Sequence, residues 1–225
     1  MFYDSTYILV LIGMAIVMFA QHRVQSTFNK YQELETEKRI TGRQAAEWIL
    51  QQASIPDVQV EHVPGQLTDH YDPANKVLRL SDATYDSQSV AAVAVAAHEC
   101  GHAVQDAKDY HFLRFRTALV PVVNIGSSLA MPLILIGLLM SWAGLIKIGT
   151  IAFSLVLLFQ LVTLPVEFDA SKRALAVLEQ GGLFTASELP AAKKVLSAAA
   201  FTYIAASLST ALQLLRFIIL SRRND

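Results

Sequence analysis

Two histidines stand four residues apart in His98-Glu99-Cys100-Gly101-His102, an H-E-x-x-H pattern. On a helix, residues four apart share one face, one turn from each other. Both imidazoles can therefore reach a single zinc ion. Glu99 stands beside that face. Its carboxylate can take a proton from a metal-activated water and later deliver it to a leaving amine. The chemistry this pattern suits is hydrolysis assisted by one zinc ion. The alanine-rich stretch Ser89–Lys108 around it reads as the helix the spacing requires. Cys100 lies off the metal face and reads as a small packed side chain. As the single cysteine, it forms no intrachain disulfide and rules out a cysteine-based zinc ribbon. Gly101 costs a helix about 1 kcal/mol relative to alanine, and a close approach of a second backbone would explain it.

Two histidines do not complete a site, because a catalytic zinc normally has three protein ligands and an open fourth position. His22, His62, His70 and His111 remain, none at the short downstream spacing of a metzincin third histidine. A carboxylate is the alternative, and Glu167 is the best candidate. Asp169 is its rival. The two lie about 200° apart around a helix, so they are not expected to face one metal. Asp169 can pair with Arg173 at i+4, whereas Ser171 shares the face of Glu167. On residue chemistry alone, a zinc ligand and a capping or interfacial carboxylate at a helix N-terminus suit Glu167 equally.

The elements that must position these residues follow from the charge pattern. Hydrophobic residues make up 53% of the 225-residue chain and charged residues 16%, against about 25% charged in a soluble domain. The only charged side chain in Met1–Ala20 is Asp4, and the only one in Thr117–Val166 is Lys147. A wholly soluble globule is thereby excluded, as is disorder. Tyr7–Ala20, Ala118–Met140, Leu145–Leu164 and Phe201–Leu220 read as membrane spans, the last weakened by Arg216. Eight Lys and Arg flank the spans on one side: Arg23, Lys30, Arg114, Arg116, Lys172, Arg173, Lys193 and Lys194. Lys147, Arg222 and Arg223 fall on the other. This bias places the large polar loop in the cytoplasm. Two spans separate Arg116 from Glu167, so the chain returns Glu167 to the face that carries the H-E-x-x-H segment.

Gln21–Arg116, with ten basic and thirteen acidic residues, reads as a compact polar domain. Phe28–Gln52 has helical periodicity, with Thr41 as N-cap of its second half. Val58–Val63 alternates like a strand, Asp72–Lys76 is a turn, and Val77–Ser81 is a second strand. Pro165–Gln180 reads as a helix stopped by Gly181-Gly182. The division expected is an N-terminal anchor (1–20), the H-E-x-x-H domain (21–116), a transmembrane hairpin (117–166), a second ligand helix with helical extension (167–200), and a C-terminal membrane helix and tail (201–225). The fold class is a mainly α integral membrane protein. It has three to four transmembrane helices and an α+β domain with a small sheet.

Thr163–Ala174, Gly65–Asp72 and Val95–Gln105 together resemble the bacterial membrane-bound neutral zinc metallopeptidase family typified by YugP, over nearly the whole chain. The resemblance implies a zincin-like, membrane-anchored endopeptidase of the bacterial plasma (inner) membrane. It implies His98, His102 and Glu167 as zinc ligands and Glu99 as general base. More distantly the chain is similar to the HtpX and Ste24 membrane peptidases. Those carry an aspartate, four residues after the glutamate ligand, that supports a histidine; here Ser171 stands there, so the support must differ. Zincins pair an extended peptide with an edge strand. Val77–Ser81 is the candidate, although an interior strand fits it equally. His70, Tyr71, Tyr110 and Tyr203 have groups suited to an oxyanion, with nothing to choose among them.

The partners expected are a polypeptide, membrane-associated or misfolded, and the lipid bilayer. A net charge of −1 and no basic, aromatic-interleaved face argue against nucleic acid. Two other readings remain. An intramembrane site-2-type protease would hold the H-E-x-x-H motif inside a span, but Val90–Ala97 is short for one and closely flanked by charge. A non-catalytic metal-binding scaffold or sensor would need the ligands but not Glu99.

Overall fold

The computed structural model describes residues 5–223. The first four residues of the expected anchor and the last two of the expected tail lie outside that range. Among the described residues, six helices and three strands follow one another: α1 (Tyr7–Gln32), α2 (Gly42–Gln52), β1 (Gln59–Val63), β2 (His70–Asp72), β3 (Val77–Ser81), α3 (Val90–Ala107), α4 (His111–Leu139), α5 (Ala143–Gln180) and α6 (Leu189–Arg223). The chain is a mainly α membrane protein with a small mixed sheet. It divides into two compact units: Met1–Gln21, Arg114–Leu164 and Phe201–Asp225 form one, and His22–Leu113 with Pro165–Ala200 form the other.

The first unit is built from apolar helix segments. Four helices, α1, α4, α5 and α6, are long and apolar enough to cross a membrane. Their outward side chains are large and apolar: Met18 is 64% exposed and Ile151 69%. In water that exposure would be unfavourable, whereas against lipid tails it costs nothing. Inside the unit the packing is close. A Cβ on Gly149 would stand 2.9 Å from the Ala130 carbonyl oxygen, so α4 and α5 approach backbone to backbone, as small residues permit between membrane helices. Phe217 and Ile134 are buried together with Phe153 beside them. The charge of Arg216 is accommodated: its guanidinium lies 4.1 Å from the ring centre of Tyr7, a cation–π contact.

The second unit holds the sheet and the motif helix. Thr41 caps α2 with a reciprocal capping box to Gln44, satisfying two backbone donors at once. Ser89 caps α3 by accepting from the Ala92 N–H. Asp72 turns the chain between β2 and β3 by accepting from the Ala74 and Asn75 N–H groups. Leu78, Leu80, Val90, Val93 and Leu178 are among the core residues of this unit; burying a side chain of that size stabilises by about 1.5–3 kcal/mol.

Three sequence expectations change. The helical periodicity of Phe28–Gln52 is interrupted between α1 and α2, where Leu34 and Ile40 lie in a link. That link is held by long-range bonds, including Thr36 N–H to the Gln88 carbonyl and Glu37 N–H to Glu188, and Arg39 takes a positive φ of 50°. The third span and the second ligand helix are one continuous helix, α5, with Pro165 inside it. The sheet order is β1-β3-β2, with β1 parallel and β2 antiparallel to β3. Val77–Ser81 is therefore interior. β1 pairs with it along its whole length and β2 along Val77–Arg79, so it is not the free edge an extended peptide needs, and the outer edges belong to β1 and β2.

Candidate metal centre

Two helical stripes meet in the second unit. His98, Gly101, His102 and Gln105 recur at i, i+3, i+4 and i+7 along one face of α3. Glu167, Ala170, Ser171 and Ala174 do the same on α5. A Cβ on Gly101 would stand 2.7 Å from the carbonyl oxygen of Ala170 and 3.0 Å from its Cα. The missing side chain at Gly101 lets the two backbones touch. The longer side chains on either side of that contact then converge.

Glu167 Oε2 lies 3.3 Å from His98 Nε2 and 3.6 Å from His102 Nε2. One ligand atom from each of these residues falls within 4.8 Å of the others. Atoms 2.0–2.2 Å from a tetrahedral zinc stand roughly 3.3–3.6 Å from one another, so the donor set fits one ion in its chemistry and closely in its spacing. The side chains of His98, His102 and Glu167 are 13%, 12% and 4% exposed. Burial alone would push the Glu167 carboxyl up. The imidazoles of His102 and His98 facing it outweigh that and hold the carboxyl well below the usual range. Burial likewise opposes charge on His102, but the Glu167 and Glu99 carboxylates prevail and raise it. The centre therefore attracts positive charge.

The outer nitrogens of both imidazoles are also held. Ser171 Oγ lies 3.1 Å from His98 Nδ1. His102 Nδ1 lies 3.0 Å from Gln105 Oε1. The Gln105 amide nitrogen donates to the Val166 carbonyl and to Asp169 Oδ2, both at 2.8 Å. Those two groups accept only, so the amide nitrogen faces them and its oxygen faces His102. His102 Nδ1 must then carry a hydrogen, so in the neutral ring the lone pair that a metal needs is on Nε2, facing Glu167. Asp169 is bound to Arg173 Nε at 2.5 Å. It supports Gln105 and does not join the cluster.

Gln105, fully buried, is the site residue the sequence reading missed. Its signal was a polar side chain three residues beyond His102, on the same helical face as His98 and His102. Gln105→Leu keeps the volume but removes the acceptor. We expect zinc affinity to fall about 10–100-fold, measured by competition with a chelating dye. Undiminished affinity would remove Gln105 from this role.

Glu99 is 9% exposed, and its carboxylate makes no hydrogen bond to another described residue. Cys100 is buried with its thiol against the Ala46 carbonyl, and burial pushes its pKa up, as an inert packed cysteine requires. Other histidines are engaged elsewhere: His62 with Asp82 at 2.6 Å, His70 with the Thr68 carbonyl, His111 with the Asp109 carbonyl. Of the oxyanion candidates, Tyr71 donates its hydroxyl to Asp106, Tyr110 lies under the Arg173 guanidinium, and Tyr203 falls in the other unit. The four helices long and apolar enough to span a membrane do not include α3, which counts against a motif held within a span.

The sequence model of the family described as "Putative neutral zinc metallopeptidase" matches residues 6–222. The chain is also 43% identical over 212 residues to the "Putative membrane protease YugP" of Bacillus subtilis (strain 168), covering 94% of each chain. No solved structure matches. With the match extending through both units and including the H-E-x-x-H helix and α5, this chain belongs to the neutral zinc metallopeptidase family.

Proposed function

We propose that the protein is a membrane-embedded endopeptidase in which His98, His102 and Glu167 hold one zinc ion and Glu99 is the general base. The observation that carries this reading is the convergence of three donor atoms from α3 and α5 within 4.8 Å, with Glu99 next to a ligand and its carboxylate without a hydrogen bond to another described residue. When bound, the zinc acidifies a water and polarises the scissile carbonyl. Glu99 accepts the proton of the attacking water and passes it to the departing amine nitrogen. Ser171 and Gln105 keep the imidazoles in the orientation and tautomer that ligation requires. Glu167 contributes a negative charge that both imidazoles face.

The substrate class is a polypeptide, membrane-associated or misfolded, because the catalytic unit is joined to the spans through four helices. The location is the bacterial inner membrane with the site on the cytoplasmic side, supported by the eight Lys and Arg that flank the spans there. The test is hydrolysis of an unfolded protein by the full chain in liposomes. Chelation abolishes cleavage, and one equivalent of zinc per chain restores it. Cleavage that survives complete zinc removal would overturn the proposal.

A further inference from the structure

A cavity of about 660 Å³ in the second unit lies between the polar part of α1 and the start of α6. Arg23 and Lys30 line it from α1, and Lys193 and Lys194 from α6. Thr27 and Ser197 add hydroxyls, and none of the lining residues is acidic. Its volume is within the range of small-ligand sites, about 300–1,000 Å³. The two sides of the cavity are far apart in sequence. Lys30, Lys193 and Lys194 are gathered here from two helices with no acidic residue in the lining, an arrangement suited to an anion.

The position along the helices identifies the anion. At 1.5 Å per residue, Arg23 stands about 5 Å beyond Ala20, where the apolar run of α1 ends, and Lys30 about 15 Å beyond it. On α6, Ser197 stands about 6 Å before Phe201, where the apolar run begins, and Lys194 about 10 Å before it. The polar zone of a bilayer adds about 5–8 Å on each side of the hydrocarbon. Arg23 and Ser197 are thus at the depth of lipid phosphates, and the lysines extend outward from there. We propose that this cavity binds the phosphate headgroup of an anionic phospholipid. The guanidinium and hydroxyls meet the phosphate oxygens and the lysines neutralise the remaining charge. The site is separate from the metal centre and does not depend on catalysis.

The test uses the full chain in neutral detergent. Dioleoylphosphatidylglycerol, tetraoleoyl cardiolipin, dioleoylphosphatidylcholine and free inorganic phosphate are titrated in turn, with lipid retention read by native mass spectrometry and affinity by thermal shift. The two anionic lipids bind, more weakly as salt rises, and phosphatidylcholine does not. A cation at this depth contributes roughly fivefold, so Lys193→Gln with Lys194→Gln weakens binding about 25-fold. Arg23→Gln with Lys30→Gln, on the opposite wall, does the same. Lys38→Gln with Lys172→Gln removes equal charge outside the cavity and changes affinity less than twofold. Equal binding of phosphatidylcholine overturns the proposal. So does equal loss in the control pair, which would mean diffuse surface charge. So does free phosphate binding as tightly as lipid, which would mean a soluble ligand.

Discussion

Replacing Glu99 by glutamine leaves one zinc per chain and lowers the turnover of peptide hydrolysis by roughly 10²–10⁴-fold, the usual contribution of a positioned general base. Glutamine has nearly the same shape but cannot accept the water's proton. The substitution breaks no ion pair, because the Glu99 carboxylate makes no hydrogen bond to a described residue and is not one of the three convergent donors. It also removes a largely buried charge, whose desolvation cost offsets the attraction to His102 that is lost with it. Zinc content by mass spectrometry and steady-state cleavage should therefore separate cleanly: the first unchanged, the second nearly gone. This separation decides between enzyme and scaffold, since a sensor needs the ligands without the base. A Glu99→Gln protein that cleaves as well as the parent would end the assignment of Glu99.

What was legible in the sequence was local or periodic. The H-E-x-x-H spacing reads directly as one face of a helix. Gly101 reads as a place where a backbone must come close, and Ala170 is that backbone. Thr41 and Ser89 read as caps because capping needs only neighbouring residues. What was hidden was non-local. Strand order is set by pairing partners, so the interior place of β3 could not be seen in the alternation of Val77–Ser81 itself. The break after α1 comes from bonds to Gln88 and Glu188, against the local periodicity. Gln105 touches Val166 and Asp169, more than sixty residues away, and only the docking of α3 on α5 gives its amide a fixed direction. Residue chemistry left Glu167 evenly placed between ligand and cap. Its position inside the continuous α5, rather than at a helix start, removes the capping alternative.

That position makes Glu167→Ala the most disruptive single change at the centre. It removes one of three donors and the negative charge that both imidazoles face. Zinc affinity should fall by more than the roughly 10–100-fold typical of a supporting partner. Asp169→Asn, which weakens the support through Gln105 and the pairing with Arg173 but removes no donor, should stay within that range. Comparing the two separates ligand from rival: equal losses would count against Glu167. The metal-free protein offers a second readout. His102 is raised above its ordinary value near 6.5, so its pairing stabilises the fold below that value, and the contribution is lost as pH rises through the raised pKa. Glu167 is lowered from its ordinary value near 4.5, so its contribution is present above that value and is lost as pH falls through the lowered pKa. The pair should stabilise the metal-free protein most between about pH 4.5 and 6.5. Thermal melts of chelated parent and Glu167→Ala should diverge most in that window. Zinc must displace the proton that His102 holds there. In the parent, zinc binding should therefore weaken as pH falls through the raised His102 pKa. Without Glu167, His102 loses the strongest of the influences that raise it, and the onset of that competition should move to lower pH even as overall affinity collapses.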